Sequence, residues 1–175
     1  MDTKKSASPI ELSALLMDAV CGQDEKERDS LQELATHLKV DLPLLQAELL
    51  FLRAFAVEFA LVMALGDSEA KDEVFTHYYR HWDRMIAETG PEVQSDLQVR
   101  VQMYSEVINQ AEPGSEGLGG AIGRAFANLF QSEEAEGDLA HLGGSMFAAL
   151  SAEVMDMFNE VDIVLLGSEG EEGLN

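Results

Sequence analysis

Between Leu42 and Leu65 the chain is apolar on nearly every side of the helix that its spacing predicts, through Leu49-Leu50-Phe51-Leu52 and Phe55-Ala56-Val57. A helix without a polar face has to be covered all round. It therefore forms the centre of a helical domain, or one of its faces is covered by a second copy or a partner. The boundary chemistry fits a water-exposed chain: Asp41 caps, Pro43 suits the first turn and Gly66 follows the last one. A membrane span is disfavoured by Glu48, Arg53 and Glu58. On an insertion scale Leu, Phe and Val contribute roughly −0.3 to −0.6 kcal/mol each, and a central charge costs about 2.5 to 3.5 kcal/mol. The three charges cancel the gain from the thirteen Leu, Phe and Val residues of the stretch.

The rest of the sequence surrounds this segment with amphipathic helices. Ser8, Pro9 and Glu11 mark a capped start, after which Leu12, Leu15, Leu16, Ala19 and Val20 line one face up to Gly22. A shorter helix is predicted from about Lys26 to Leu38. Ser68 begins a fourth, with Val74, Phe75, Tyr78, Tyr79, Trp82, Met85 and Ile86 inward, ended by Gly90-Pro91. Val93, Leu97, Val101, Tyr104 and Ile108 give the fifth at spacings of four and three. Glu112-Pro113-Gly114-Ser115 reads as a loop, and two further helices are predicted over 118–131 and 138–166. Val161-Asp162-Ile163-Val164-Leu165-Leu166 has strand-forming residues, but no second strand-like run is evident to pair with it.

Rows of small residues recur every four positions: Gly119, Gly123 and Ala127; Ala140, Gly144, Ala148 and Ala152; Ala56, Ala60 and Ala64. A helical Gly costs about 0.8 to 1 kcal/mol against Ala, so these rows predict close helix-to-helix approach, within the domain rather than between subunits.

Charge and cysteine usage narrow the function classes. Thirty-three acidic and eleven basic residues give a formal charge of −22, which repels phosphate backbones and anionic lipid. Cys21 is the only cysteine, so an intramolecular disulfide or a cysteine-based metal cage cannot form, and a reducing, cytoplasmic setting is expected. Glu11 and Asp18 interrupt the apolar run that a signal peptide would need.

Three constellations bear on chemistry. His77 and His81 lie one turn apart and with Glu58 sketch a metal site, although the carboxylates of a di-metal helical bundle are missing and the two histidines share a charged stripe. Glu48 and Glu58, about 80° apart on the helical wheel, must be paired or solvated within an apolar helix. A carboxylate at the mouth of an apolar pocket would hold the polar head of a ligand, with Tyr78, Tyr79, Trp82 and Met85 as its wall. Methionines 63, 146, 155 and 157 would suit an adaptable lining. The glycines at 117, 119, 120 and 123 follow a Pro-Gly loop rather than a strand and are not a dinucleotide loop. No serine elbow or activated cysteine is visible.

The expected fold is a single compact all-α domain of six or seven helices, orthogonal or bundle-like, over residues 8–166 around the apolar helix 42–65. A disordered N-terminus at 1–7 and a disordered acidic tail at 167–175 are expected to flank it. The expected role is non-enzymatic: an interaction or accessory protein acting through its acidic surface as a homodimer. A basic protein is the alternative partner, and no cofactor, nucleic acid or membrane is expected. The dimer expectation rests on the apolar helix, whose exposed Leu or Phe side chains would each forgo ~1.5 to 3 kcal/mol if left uncovered. The rival readings are a binder of a small apolar ligand in a pocket between the third, fourth and seventh helices, and a metal-binding bundle.

Overall fold

The computed structural model describes residues 4–22, 24–111 and 117–165. Among them seven helices follow in order: α1 (Pro9–Cys21), α2 (Glu25–Leu38), α3 (Leu42–Leu65), α4 (Glu69–Thr89), α5 (Pro91–Gln110), α6 (Gly117–Asn128) and α7 (Glu136–Glu160). Two short strands, β1 (Lys5–Ala7) and β2 (Val161–Ile163), flank this series. The fold is all-α in one domain.

The helix starts are set by side chains that satisfy orphan backbone donors. The Ser8 hydroxyl accepts from the Glu11 amide at 3.3 Å, and the Glu11 carboxylate accepts from the Ser8 amide at 2.8 Å. Asp24, Asp41 and Ser68 cap α2, α3 and α4 in the same manner through the amides of Glu27, Leu44 and Lys71. Gly66, with φ of 54°, ends α3 in the left-handed region, where a side chain would be strained.

Helix α3 runs through the middle of the domain. Its largest neighbour is α7, with α5, α1, α2 and α4 around the remaining sides. Every residue from Phe51 to Val57 is buried by the chain's own helices. The exposed large apolar side chains of α3 are Leu44 near its start and Val62 and Met63 near its end. The ground for expecting a second copy, a central helix too apolar for one chain to cover, is thereby removed. No helix among the described residues is long and apolar enough to cross a membrane.

Helices α6 and α7 form the tightest pair of the fold, and their small residues are the reason. A Cβ at Gly123 would overlap the Ala140 carbonyl, and one at Gly144 would press on the Gly119 carbonyl. One at Gly143 would stand 2.7 Å from the Phe126 side chain. The seam is internal to the chain. The Ala56 and Ala60 row likewise faces a neighbour within the fold, since the Ser151 hydroxyl of α7 donates to the Ala56 carbonyl at 3.4 Å.

The last helix and the N-terminal segment differ from the sequence expectation. α7 stops at Glu160 instead of continuing to Leu166, because Val161 turns extended (φ −116°, ψ 138°) and β2 pairs in parallel with β1. The register sets Lys5 against Val161, Ser6 against Asp162 and Ala7 against Ile163, and the Val164 amide donates to the Ala7 carbonyl at 3.0 Å. The strand partner that the sequence did not reveal is thus Lys5-Ser6-Ala7, in the segment expected to be disordered. Similarly, α6 ends at Asn128 rather than Gln131. Residues 1–3, the expected loop at Glu112-Pro113-Gly114-Ser115, Leu166 and the acidic tail 167–175 lie outside the described residues.

Candidate functional site

Of the three charges inside α3, two have partners. Glu48 takes both Nε and Nη2 of Arg100 on α5, and Arg53 pairs with Glu27 on α2. These two pairs tie the central helix to its neighbours, as buried charges require. Glu58 takes part in none of the ion pairs found among the described residues. Its Oε1 atom is buried and accepts no hydrogen bond.

The Glu58 side chain is one of those lining a cavity of about 340 Å³ between α3, α4 and α5. From α3 come Phe55, Glu58, Phe59 and Val62, successive positions of one face. Phe75 projects from α4, and Val101, Ser105, Ile108 and Asn109 complete the wall from α5. The aromatic side is continuous with the core: the Phe55 ring lies 6.4 Å from Phe59, 5.2 Å from Tyr104 and 5.9 Å from Phe147. Phe75 stacks on Tyr79 at 5.7 Å. The volume falls in the range of small-molecule sites, and the lining is mostly apolar with few polar groups, as such sites are.

Electrostatics single out Glu58. Burial pushes its carboxyl up to about 7, against the Tyr79 hydroxyl, whose hydrogen bond favours the charged form. Burial and the Glu58 charge together push the hydroxyls of Tyr78 and Tyr79 above the ordinary tyrosine range. Near neutral pH the site therefore holds a carboxyl poised between its two protonation states and an adjacent phenol that stays protonated. It can accept a proton-bearing group on Oε1 or, when protonated, donate one. The Ser105 hydroxyl is already committed to the Val101 carbonyl at 2.8 Å.

The residues proposed from sequence separate into three groups on α4. Each residue advances about 100° around a helix, so Phe75 and Tyr79 share one direction, Tyr78 and Trp82 lie about 60° away, and His77 and His81 point about 160° away. Glu58 lines the cavity, whereas Tyr79 is not among the lining residues and adjoins it through the Glu58 carboxyl and its stacking on Phe75. Tyr78 and Trp82 instead fill the core, wholly buried, while Met85 packs against the core edge. The pocket is walled by α5 where α7 had been expected, because α7 fills its side of α3 with Phe147.

The candidate metal set does not assemble. His81 Nε2 lies 3.4 Å from the Ser13 hydroxyl of α1, His77 Nδ1 lies 3.4 Å from Arg80, and Glu58 is on the opposite side of α4. Among the described residues no three His, Cys, Asp or Glu side chains gather to hold a metal ion. Phe55, Phe59, Phe75, Val101 and Ser105 were not identified as pocket residues from sequence, since each reads there as an ordinary core position.

A larger concavity, about 1020 Å³, lies elsewhere, where Lys4 and Lys5 face Glu153, Asp156 and Glu160. It is wide and mixed in charge, and none of the buried unpartnered polar atoms lines it. Comparison with protein-family models, curated proteins and solved structures finds no match to this chain. Fold and site define an all-α domain with an unpaired carboxyl on the wall of an aromatic cavity.

Proposed function

We propose that this protein binds a small, largely apolar molecule in the cavity between α3, α4 and α5, with Glu58 holding its polar end. The observation that carries this reading is Glu58, which lines a 340 Å³ cavity, takes part in none of the ion pairs found among the described residues, and has a buried, unpartnered Oε1 atom. A buried polar atom without a partner costs about 1 to 3 kcal/mol. Glu48, on the same helix, is given a guanidinium, so the fold can supply a partner where only stability is served.

N-Phenyl-1-naphthylamine, a neutral probe that brightens in apolar surroundings, tests the reading. Saturable enhancement at one site per chain is expected, and Ser105→Trp, which fills the cavity from α5, abolishes it while the helical circular-dichroism spectrum is kept. Undiminished enhancement in the filled variant, or none in the parent protein, would overturn the proposal.

A further inference from the structure

We infer that the ligand of this cavity is a hydrophobic ammonium: an aryl or alkyl amine whose cationic head sits on Glu58 and whose body lies among Phe55, Phe59 and Phe75. This names the ligand class for the site proposed above and rests on that reading.

Three observations converge on a cation. The carboxyl lacks a counter-charge: among the described residues Arg100 is held by Glu48, Arg53 by Glu27, Lys71 by Asp67 and Lys39 by Glu134. A carboxylate away from water needs a partner of opposite charge more than it needs a neutral donor. The neutral Tyr79 phenol already favours the charged form of the carboxyl, and Oε1 is left without a hydrogen-bond partner.

The second observation is the wall. Phe55, Phe59 and Phe75 line the same cavity as Glu58, and aromatic ring faces attract ammonium groups within about 6 Å of the centroid. An anionic head would meet the Glu58 charge and these ring faces together, and both would repel it. A neutral alcohol would satisfy Oε1 but gain nothing from either.

The third is the field of the chain. A formal charge of −22 raises the local concentration of cations and depletes anions at every surface opening. The cavity is open to solvent beside the exposed Val62, so its ligand arrives through that field.

Three isosteric probes separate the outcomes: 2-phenylethylamine, 2-phenylethanol and phenylacetate, titrated by calorimetry into the intact protein at pH 8. The amine is expected to bind at least tenfold more tightly than the alcohol, and phenylacetate not to bind. Glu58→Gln should bring amine and alcohol to within about twofold of each other while alcohol affinity is kept. Equal binding of amine and alcohol to the parent protein would overturn the ammonium assignment and leave the cavity reading standing. An amine preference that persists in Glu58→Gln would assign it to the acidic surface and overturn the inference as well. Failure of all three probes, together with failure of the naphthylamine probe, would remove the site itself.

Discussion

Glu48 and Arg100 meet as a two-point pair, Nε to Oε2 at 2.7 Å and Nη2 to Oε1 at 2.5 Å, which joins the centre of α3 to α5. Glu48 is 3% exposed, so its charge depends on this one guanidinium. Arg100→Ala should destabilise the fold by about 3 kcal/mol, because the remaining carboxylate has no second cation. Replacing both residues with Leu should recover most of that loss, since a well-packed apolar pair avoids desolvation altogether. Urea unfolding of the parent protein, Arg100→Ala and the double Leu variant measures both effects. A double variant no more stable than Arg100→Ala would contradict the expected recovery.

Glu58 has the opposite design and the opposite pH behaviour. Its carboxyl titrates at about 7 in the folded protein, against an ordinary 4.5. The folded state thus binds a proton that the unfolded chain has released, so stability falls as pH rises from about 4.5 through 7. Above that window the full penalty, about 3 kcal/mol by linkage, is present. Glu58→Gln should therefore stabilise the protein at pH 8 and change it little below pH 4.5. Paired denaturation curves at the two pH values decide the matter; an identical effect at both would mean the carboxyl is not desolvated. The titrating neighbour that enters this shift is Tyr79, whose own hydroxyl is pushed above the ordinary tyrosine range and stays protonated across the window.

Two glycines of nearly equal helix cost should respond in opposite senses to alanine. At Gly123 a Cβ would overlap the Ala140 carbonyl, a backbone atom that cannot swing aside. Gly123→Ala should cost about 2 kcal/mol or more by overpacking, despite a propensity gain of about 1 kcal/mol. At Gly137 a Cβ meets nothing within 4 Å, so Gly137→Ala should be neutral or stabilising by up to about 1 kcal/mol. Thermal melts of both variants check the contrast.

The β1–β2 ladder makes a prediction at a single amide. The Val164 N–H donates to the Ala7 carbonyl at 3.0 Å, so its exchange with solvent should be slowed in the parent protein. Deleting residues 1–7 removes the acceptor and should bring that amide close to the unprotected rate, with α3 amides still protected. Protection of Val164 that survives the deletion would mean that another acceptor serves it.

How far the sequence could be read depends on the range of the forces involved. Helix starts at Ser8, Asp41 and Ser68 and stops at Gly66 and Gly90 were legible because capping acts over three or four residues. The inward stripes were legible because Val74, Tyr78 and Trp82, or Leu97 and Tyr104, repeat at the helical period. Glu58 and Tyr79 drew attention in the sequence because a charge in an apolar helix and an aromatic cluster are conspicuous. Which face of α4 met which neighbour was not legible, so Tyr78 and Trp82 were grouped with Tyr79 although the helix turns them into the core. The cavity depends on α5 closing against α3, and the ladder on Lys5-Ser6-Ala7, three residues with neither alternation nor bulk. Long-range pairing of so short a strand leaves no local pattern.

Among the described elements, strand β1 is synthesised before the seven helices and β2 after them. At about 5 to 20 residues per second, a ribosome takes roughly 8 to 30 s to travel from one to the other. Helix α3 emerges early in that interval, yet its largest neighbour, α7, is completed only just before β2. The most apolar segment of the chain thus waits, incompletely covered, until α7 has been made. Apolar surface left open in this way is what makes a nascent chain prone to aggregate, and here the arrival of α7 is what closes it.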